Sequence, residues 1–186
     1  MIDEKPLARV EGPARYIGIE HNMVRKAPED VALRFALCYP DVYEVGTSHV
    51  GSAIIYNVLN RRQDTYCERS FVPAADAIEL LRREGGVLRS LETATPLTEF
   101  HAVGITLQHE LNYPGVLCLL GLGGIALRSA QRAPGAPIVI GGGPCAVNPE
   151  PLAPFFDVVF VGEAEDALAE LADVLVAARP PVADSA

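Results

Sequence analysis

The sequence predicts an α/β fold with a mainly parallel sheet. Five short apolar segments, 31–38, 65–72, 102–107, 137–141 and 157–161, alternate with longer segments whose apolar residues recur at helical spacing. Such alternation is typical of repeated βαβ units, in which helical crossovers join parallel strands. Three of the five segments are almost entirely apolar, as expected for strands that helices cover on both faces.

Right-handed crossovers and helices on both faces predict a doubly wound, five-stranded sheet. The simplest arrangement is flavodoxin-like and Rossmann-like, with strand order 2-1-3-4-5. Ligands bind such sheets beyond the carboxyl ends of the strands, where the strand order reverses. We therefore expect a site between the first and third strands, in the loops 39–51 and 108–112, with 142–148 and 162–165 beside them.

Four helices are predicted around this sheet. The first begins near Ser48, a suitable N-cap, and the second spans about 74–84 and stops at Gly85 and Gly86. The third starts at Asn112 with a proline in its first turn, and the last runs over about 163–178. Segment 87–91 is an open alternative that the pattern also allows as a short extra strand.

The length of 186 residues is about that of one domain. We expect an N-terminal arm over 1–30, a single domain over 31–178, and a tail or the start of a linker over 179–186. The tail contains a proline pair and small polar residues, which are typical of linkers.

Composition and charge restrict the function. A formal net charge of −9 predicts repulsion from nucleic acid and anionic membranes. The most apolar run, 116–127, is shorter than the roughly 20 residues of a membrane span, and the amino terminus lacks a secretory pattern. We expect a cytoplasmic protein without disulfides, since its four cysteines are widely spaced.

Polar residues and glycines cluster in the loops at the predicted carboxyl edge. The candidate ligand-binding residues are Asp41, Glu44, Gly46, Thr47, Ser48, His49, Thr106, Gln108, Glu110, Gly141, Gly142, Gly143, Gly162 and Glu163. Glycines let the backbone approach a ligand closely, although three in succession are equally consistent with a tight turn. Neither a dinucleotide fingerprint nor a phosphate-binding loop occurs, and no catalytic or metal-ligand set has the required spacing.

Several segments together resemble one family, the amino-terminal, cobalamin-binding-type domain of radical S-adenosylmethionine proteins. These segments are PARYIGIEHN (13–22), YPDVYEVGTSHVG (39–51), GITLQHELNY (104–113), GGGPCAVNPEPLAPFFD (141–157) and VGEAED (161–166). The resemblance implies a Rossmann-like domain that places a corrinoid, cobalamin, against a radical barrel. That barrel would bind S-adenosylmethionine and hold a [4Fe-4S] cluster through CxxxCxxC.

Two departures from the family pattern shape the functional expectation. The chain has no CxxxCxxC, so it is not expected to be catalytic alone, and the barrel would be a partner in cis or a separate subunit. It also lacks the DxHxxG loop that supplies a histidine to cobalt in many cobalamin domains. The resemblance thus implies an accessory domain that places a cofactor or substrate, with any corrinoid bound without that histidine.

Two other functions remain open from the sequence. The chain is also compatible with a ligand-free interaction domain that only packs against a radical barrel. A stand-alone module that binds a nucleotide or another small molecule is the third possibility.

Overall fold

The predicted sheet is confirmed in strand number, direction and order. The computed structural model describes residues 8–178, without the side chains of residues 165 and 166. Its five strands are all parallel, in the order β2-β1-β3-β4-β5. They are β1 (Leu33–Tyr39), β2 (Thr65–Phe71), β3 (Ala102–Thr106), β4 (Ile138–Gly142) and β5 (Val158–Phe160).

Five α-helices accompany the strands in the described part of the chain. They are α1 (Tyr43–Thr47), α2 (Val50–Arg61), α3 (Ala75–Glu84), α4 (Tyr113–Leu122) and α5 (Ala164–Ala177). The last four match the predicted helices within about two residues. Gly85 ends α3 in the left-handed conformation, with φ 65°, as its position predicts.

The loop after β1 differs from its prediction. A short helix, α1, occupies its middle, and Ser48 is not the N-cap of α2. Ser48 has nearly helical backbone angles, φ −81° and ψ −8°, and its hydroxyl donates to Val45 O at 2.8 Å. An N-cap residue needs an extended backbone, which His49 has, so His49 caps the helix instead.

Segment 87–91 is not a strand, and that alternative is wrong. It makes one isolated antiparallel bridge, between Arg89 and Pro96. The backbone amides of the segment donate in different directions, Leu88 to Leu122 O at 2.8 Å and Leu91 to Arg69 O at 2.7 Å. These bonds tie it to separate elements rather than to one neighbouring strand.

Side chains alternate across β1 and build two cores. Ala36 and Cys38 face the core that contains α4, whereas Phe35 and Leu37 face the core that contains α2 and α5. The two-residue repeat of a strand produces this division, because successive side chains point to opposite faces. Helices α2 and α5 therefore lie on one face of the sheet, where they contact each other, and α4 lies on the other.

The segment before β1, residues 8–30, packs along the edge strand β2. Glu20 pairs with Arg69 at 2.6 Å, and the Tyr66 hydroxyl donates to Val24 O at 3.3 Å. The proposed arm and domain boundaries remain predictions, and residues 1–7 and 179–186, which include the predicted tail, lie outside the described residues. No helix within residues 8–178 has the length and apolar character of a membrane span.

Candidate functional site

A cavity of about 530 Å³ opens at the carboxyl edge of the sheet, between β1, β3 and β4 on one side and helices α2 and α5 on the other. Its walls are mainly apolar and include Phe35, Leu37, Ile55, Ile140, Phe160, Leu168 and Leu171. Four polar side chains also line it, those of His49, Thr106, Gln108 and Glu163. No lysine or arginine within the described residues contributes to its lining.

Glycines shape the floor and mouth of this cavity. A Cβ at Gly104, in the middle of β3, would lie 2.5 Å from Cζ of Phe35, so the glycine allows the Phe35 ring to rest against the sheet. Gly143 and Gly162, in the loops after β4 and β5, have φ of 121° and 126°. Only glycine adopts that conformation readily, so both loops need it to turn at the mouth.

Thr106 lines the cavity, and its hydroxyl is the most informative polar group in the cavity wall. Thr106 is the last residue of β3 and is 5% exposed. Its Oγ1 is buried and has no hydrogen-bond partner among residues 8–178. A buried hydroxyl without a partner costs about 1–3 kcal/mol, so native proteins rarely leave one unsatisfied without a functional reason.

His49 forms the wall of the cavity beside α2. Its Nδ1 accepts a hydrogen bond from the Ser52 backbone N–H at 3.0 Å, which caps the helix. The ring also packs against Tyr39, with the centroids 5.3 Å apart and the planes at 47°. These contacts fix the orientation of the imidazole.

The predicted site residues divide into two groups of equal size. The cavity brings together His49, Thr106, Gln108, Gly142, Gly143, Gly162 and Glu163. The lining does not include Asp41, Glu44, Gly46, Thr47, Ser48, Glu110 or Gly141.

Helix α1 accounts for most of the second group, because it turns the first loop on itself. The Asp41 carboxylate accepts from the Val42 N–H at 2.7 Å, and the Thr47 hydroxyl donates to Tyr43 O at 2.8 Å. Glu44 pairs with Arg15 at 2.5 Å; its own backbone N–H and that guanidinium lower the pKa of the carboxyl. Gly46 is buried against Phe71, which leaves it no access to the cavity.

Sequence reasoning missed the apolar part of the lining. Phe35, Ile55 and Leu168 have the spacing of ordinary core residues, and nothing in a sequence separates an apolar cavity wall from a filled core. Gly104 could have indicated this part of the cavity from the sequence, because a glycine inside a strand often marks the close approach of another group.

Exposed apolar side chains surround the mouth of the cavity. Val50, Leu111, Val147 and Val161 are 71%, 87%, 75% and 59% exposed, and we refer to these four as the rim. Each is a lining residue or lies within three positions of one, and they follow β1, β3, β4 and β5 respectively. Apolar groups gathered at one edge are characteristic of a surface that another protein or a ligand covers.

Metal ligands are not gathered at this edge in the described structure. No group of three or more histidine, cysteine, aspartate or glutamate side chains within residues 8–178 is arranged to hold an ion.

Comparison with known proteins identifies a family for the chain. No curated protein matches the chain. A family model described as "Radical SAM proteins, N-terminal" matches residues 51–183, which include α3, α4, α5, all but the first residue of α2, and four of the five strands. Because that match covers most of its length, the chain belongs to the family of amino-terminal domains of radical SAM proteins.

Proposed function

We propose that this chain is an accessory domain that holds a cofactor or substrate group in the cavity and presents it to a radical SAM domain. Membership of the family links the chain to such a domain, to which S-adenosylmethionine and the iron–sulfur cluster belong. The observation that carries the proposal is a mainly apolar cavity of about 530 Å³ at the carboxyl edge of the sheet, with the unpartnered hydroxyl of Thr106 buried in its wall. A ligand atom that pairs with Oγ1 would remove the cost of its burial.

The position and size of the cavity support a small-molecule site. Clefts that bind such ligands measure about 300–1,000 Å³ and are mostly apolar with a few polar groups. They lie at the carboxyl ends of strands in doubly wound sheets, as this cavity does. No lysine or arginine among the described side chains lines the cavity, which disfavours a polyphosphate nucleotide and therefore the stand-alone nucleotide module.

A corrinoid is the ligand that we propose. In this proposal the nucleotide tail would enter the cavity, whose volume of about 530 Å³ is in the range of small-molecule sites. Thr106, Gly142 and Gly143 line the cavity and would contact the tail. Thr47 and Ser48 bond to carbonyl groups of α1 and would not. When bound, the cobalt of a corrinoid would supply methyl-transfer or related chemistry to the radical SAM domain.

The rim helps to test the alternative that the chain is a ligand-free domain that only packs against a radical barrel. That alternative requires a filled pocket beneath an exposed apolar patch. The rim provides such a patch, but the cavity beneath it is open. Both features together favour a domain that binds a ligand and is covered by the radical SAM domain at the same edge.

Retention of cobalamin by the purified chain tests the proposal. We expect the chain to keep cyanocobalamin through desalting, with its corrin absorbance, and to keep far less dicyanocobinamide, which lacks the nucleotide tail. No retained cobalamin in correctly folded protein would exclude the corrinoid. Equal retention of both compounds would exclude tail binding in the cavity.

A further inference from the structure

We propose that His49 acts in the cavity as a hydrogen-bond donor through Nε2–H, and that it does not ligate a metal. The inference rests on the ligand site proposed above, and it assigns a role to one wall of that site. Its basis is the second function of the same ring, the capping of α2.

The helix cap determines the tautomer. The Ser52 backbone N–H lies 3.0 Å from Nδ1, and a backbone amide can only donate. Nδ1 must therefore offer its lone pair, so the neutral imidazole carries its hydrogen on Nε2. The Ser52 hydroxyl, also 3.0 Å from Nδ1, has a rotatable hydrogen and is compatible with the same tautomer.

Nε2 is the ring nitrogen that remains for a ligand. No group within residues 8–178 makes a hydrogen bond with it, although the ring lines the cavity. Tyr39 packs against the ring, and Gly51 gives it room, since a Cβ there would lie 2.8 Å from Cε1. The imidazole is thus held in place with one donor unused.

This arrangement has two chemical consequences. A metal ion needs a lone pair on the coordinating nitrogen, and the hydrogen on Nε2 occupies that position. A ligand group that contacts Nε2–H of His49 needs an acceptor atom. We expect that group to be uncharged, such as a heteroaromatic base or an amide, because no lysine or arginine among the described side chains lines the cavity.

The tautomer can be measured without any ligand. Long-range ¹H–¹⁵N NMR on the full chain with [¹⁵N]histidine, at pH 8, should show Nε2 protonated and Nδ1 unprotonated for His49. His49→Asn assigns the signal, because asparagine preserves an N-cap while removing the imidazole. A hydrogen on Nδ1 would overturn the inference whatever the chain binds.

Cobalamin then tests the role of the donor. We expect His49→Asn to bind cyanocobalamin about tenfold more weakly than the unchanged chain, with the same urea midpoint. His21→Asn, on an exposed histidine, should leave binding unchanged. Unaltered binding by His49→Asn would overturn the donor role. With cob(II)alamin and [¹⁵N]histidine, an EPR splitting from a histidine nitrogen that disappears in His49→Asn would overturn it as well.

The two proposals fail in different ways. If the unchanged chain retains no cobalamin, the corrinoid proposal is rejected. The NMR measurement on the free chain would still decide the tautomer of His49. If the chain retains cobalamin and the hydrogen of His49 lies on Nδ1, the corrinoid proposal stands and the proposed role of His49 is rejected.

Discussion

At the scale of single residues, Thr106 combines burial, an unused hydroxyl and a place on the cavity wall. That hydroxyl has no hydrogen-bond partner among the described residues. A ligand that pairs with it, as we propose, would remove the cost of its burial. Stability and affinity should consequently respond in opposite directions when the hydroxyl is removed.

Thr106→Val should leave the free energy of unfolding unchanged or raise it by up to about 1 kcal/mol, because an unpaired buried hydroxyl is lost. Affinity for cobalamin should fall by about tenfold, which corresponds to one hydrogen bond. Urea unfolding and equilibrium dialysis measure the two effects. A loss of stability above about 1 kcal/mol would show that the hydroxyl has a partner in the free protein.

The cysteines provide a second test at this scale. Burial raises the pKa of Cys38 to about 12 and the pKa of Cys67 well above its ordinary value. Burial also raises the pKa values of Cys118 and Cys145, but these two thiols are partly exposed and can be reached by a reagent. Iodoacetamide at pH 8 should therefore label Cys118 and Cys145 in the native chain and spare the other two, because only the thiolate reacts.

The same shifts predict a pH dependence of stability. A thiol whose folded pKa is raised keeps its full contribution below the unfolded pKa, about 8.5, and loses it as the pH rises toward 12. The free energy of unfolding should thus decline above pH 8.5, and less so in Cys38→Ala. Mass spectrometry measures the iodoacetamide labelling predicted in the native chain. Rapid modification of Cys38 in folded protein would contradict that labelling prediction.

At the scale of elements, β3 forms the floor of the cavity through the absence of a side chain at Gly104. Phe35 of the neighbouring strand occupies the space that a Cβ would take. Helix α4, on the opposite face, has a glycine with open space around it, Gly121. The two positions form a matched pair for substitution by alanine. The added Cβ would meet the Phe35 ring at Gly104 and open space at Gly121.

Gly104→Ala should lower the free energy of unfolding by about 1–3 kcal/mol and displace Phe35, with weaker cobalamin binding. Gly121→Ala should be neutral or stabilising by up to about 1 kcal/mol, because alanine favours a helix over glycine. Thermal or urea unfolding compares the variants. Equal stability of the two would show that the Phe35 ring moves away at no cost.

The edge strand β2 and residues 8–30 are joined through Arg69. Its Nε donates to Glu92 at 2.7 Å, and its Nη1 lies 2.6 Å from Glu20. The Glu92 side chain is 0% exposed, and burial raises the pKa of its carboxyl in spite of Arg69. Loss of the arginine would leave a buried carboxylate without its counter-charge.

Arg69→Met should cost about 3–5 kcal/mol at pH 8. Arg9→Met removes the exposed pair with Glu84 and should cost less than about 1 kcal/mol. Because a neutral carboxyl is easier to bury, the loss in Arg69→Met should be smaller at pH 4 than at pH 8. Urea unfolding at both pH values measures the loss of stability in each variant. Similar losses in Arg69→Met and Arg9→Met would contradict the role of Arg69.

At the scale of the whole molecule, the open cavity and the rim share one edge of the sheet. The chain belongs to the family of amino-terminal domains of radical SAM proteins, and a ligand held in the cavity would face the radical SAM domain through the mouth. The rim leaves four large apolar side chains in solvent at that mouth. We therefore expect the radical SAM domain to dock over the rim.

Leu111→Asp with Val161→Asp should weaken docking and leave the stability of the chain within about 0.5 kcal/mol, since both side chains are exposed. Val174→Asp, on α5 and 64% exposed, is the control and should have no effect on docking. Hydrogen exchange on the chain joined to a radical SAM domain measures protection. Protection around Val174 with none at the rim would place the interface elsewhere.

The sequence by itself determined the α/β class, the five parallel strands and their order. It also predicted a ligand at the carboxyl edge of the sheet, which stays a prediction. Apolar periodicity and glycine positions encode these features locally. Only the tertiary structure decided that His49 and Thr106 share a cavity with Phe35 and Leu168 while Glu44 and Thr47 face away. Periodicity records that a side chain is buried but not what lies opposite it, and an unfilled space exists only between elements that have already packed.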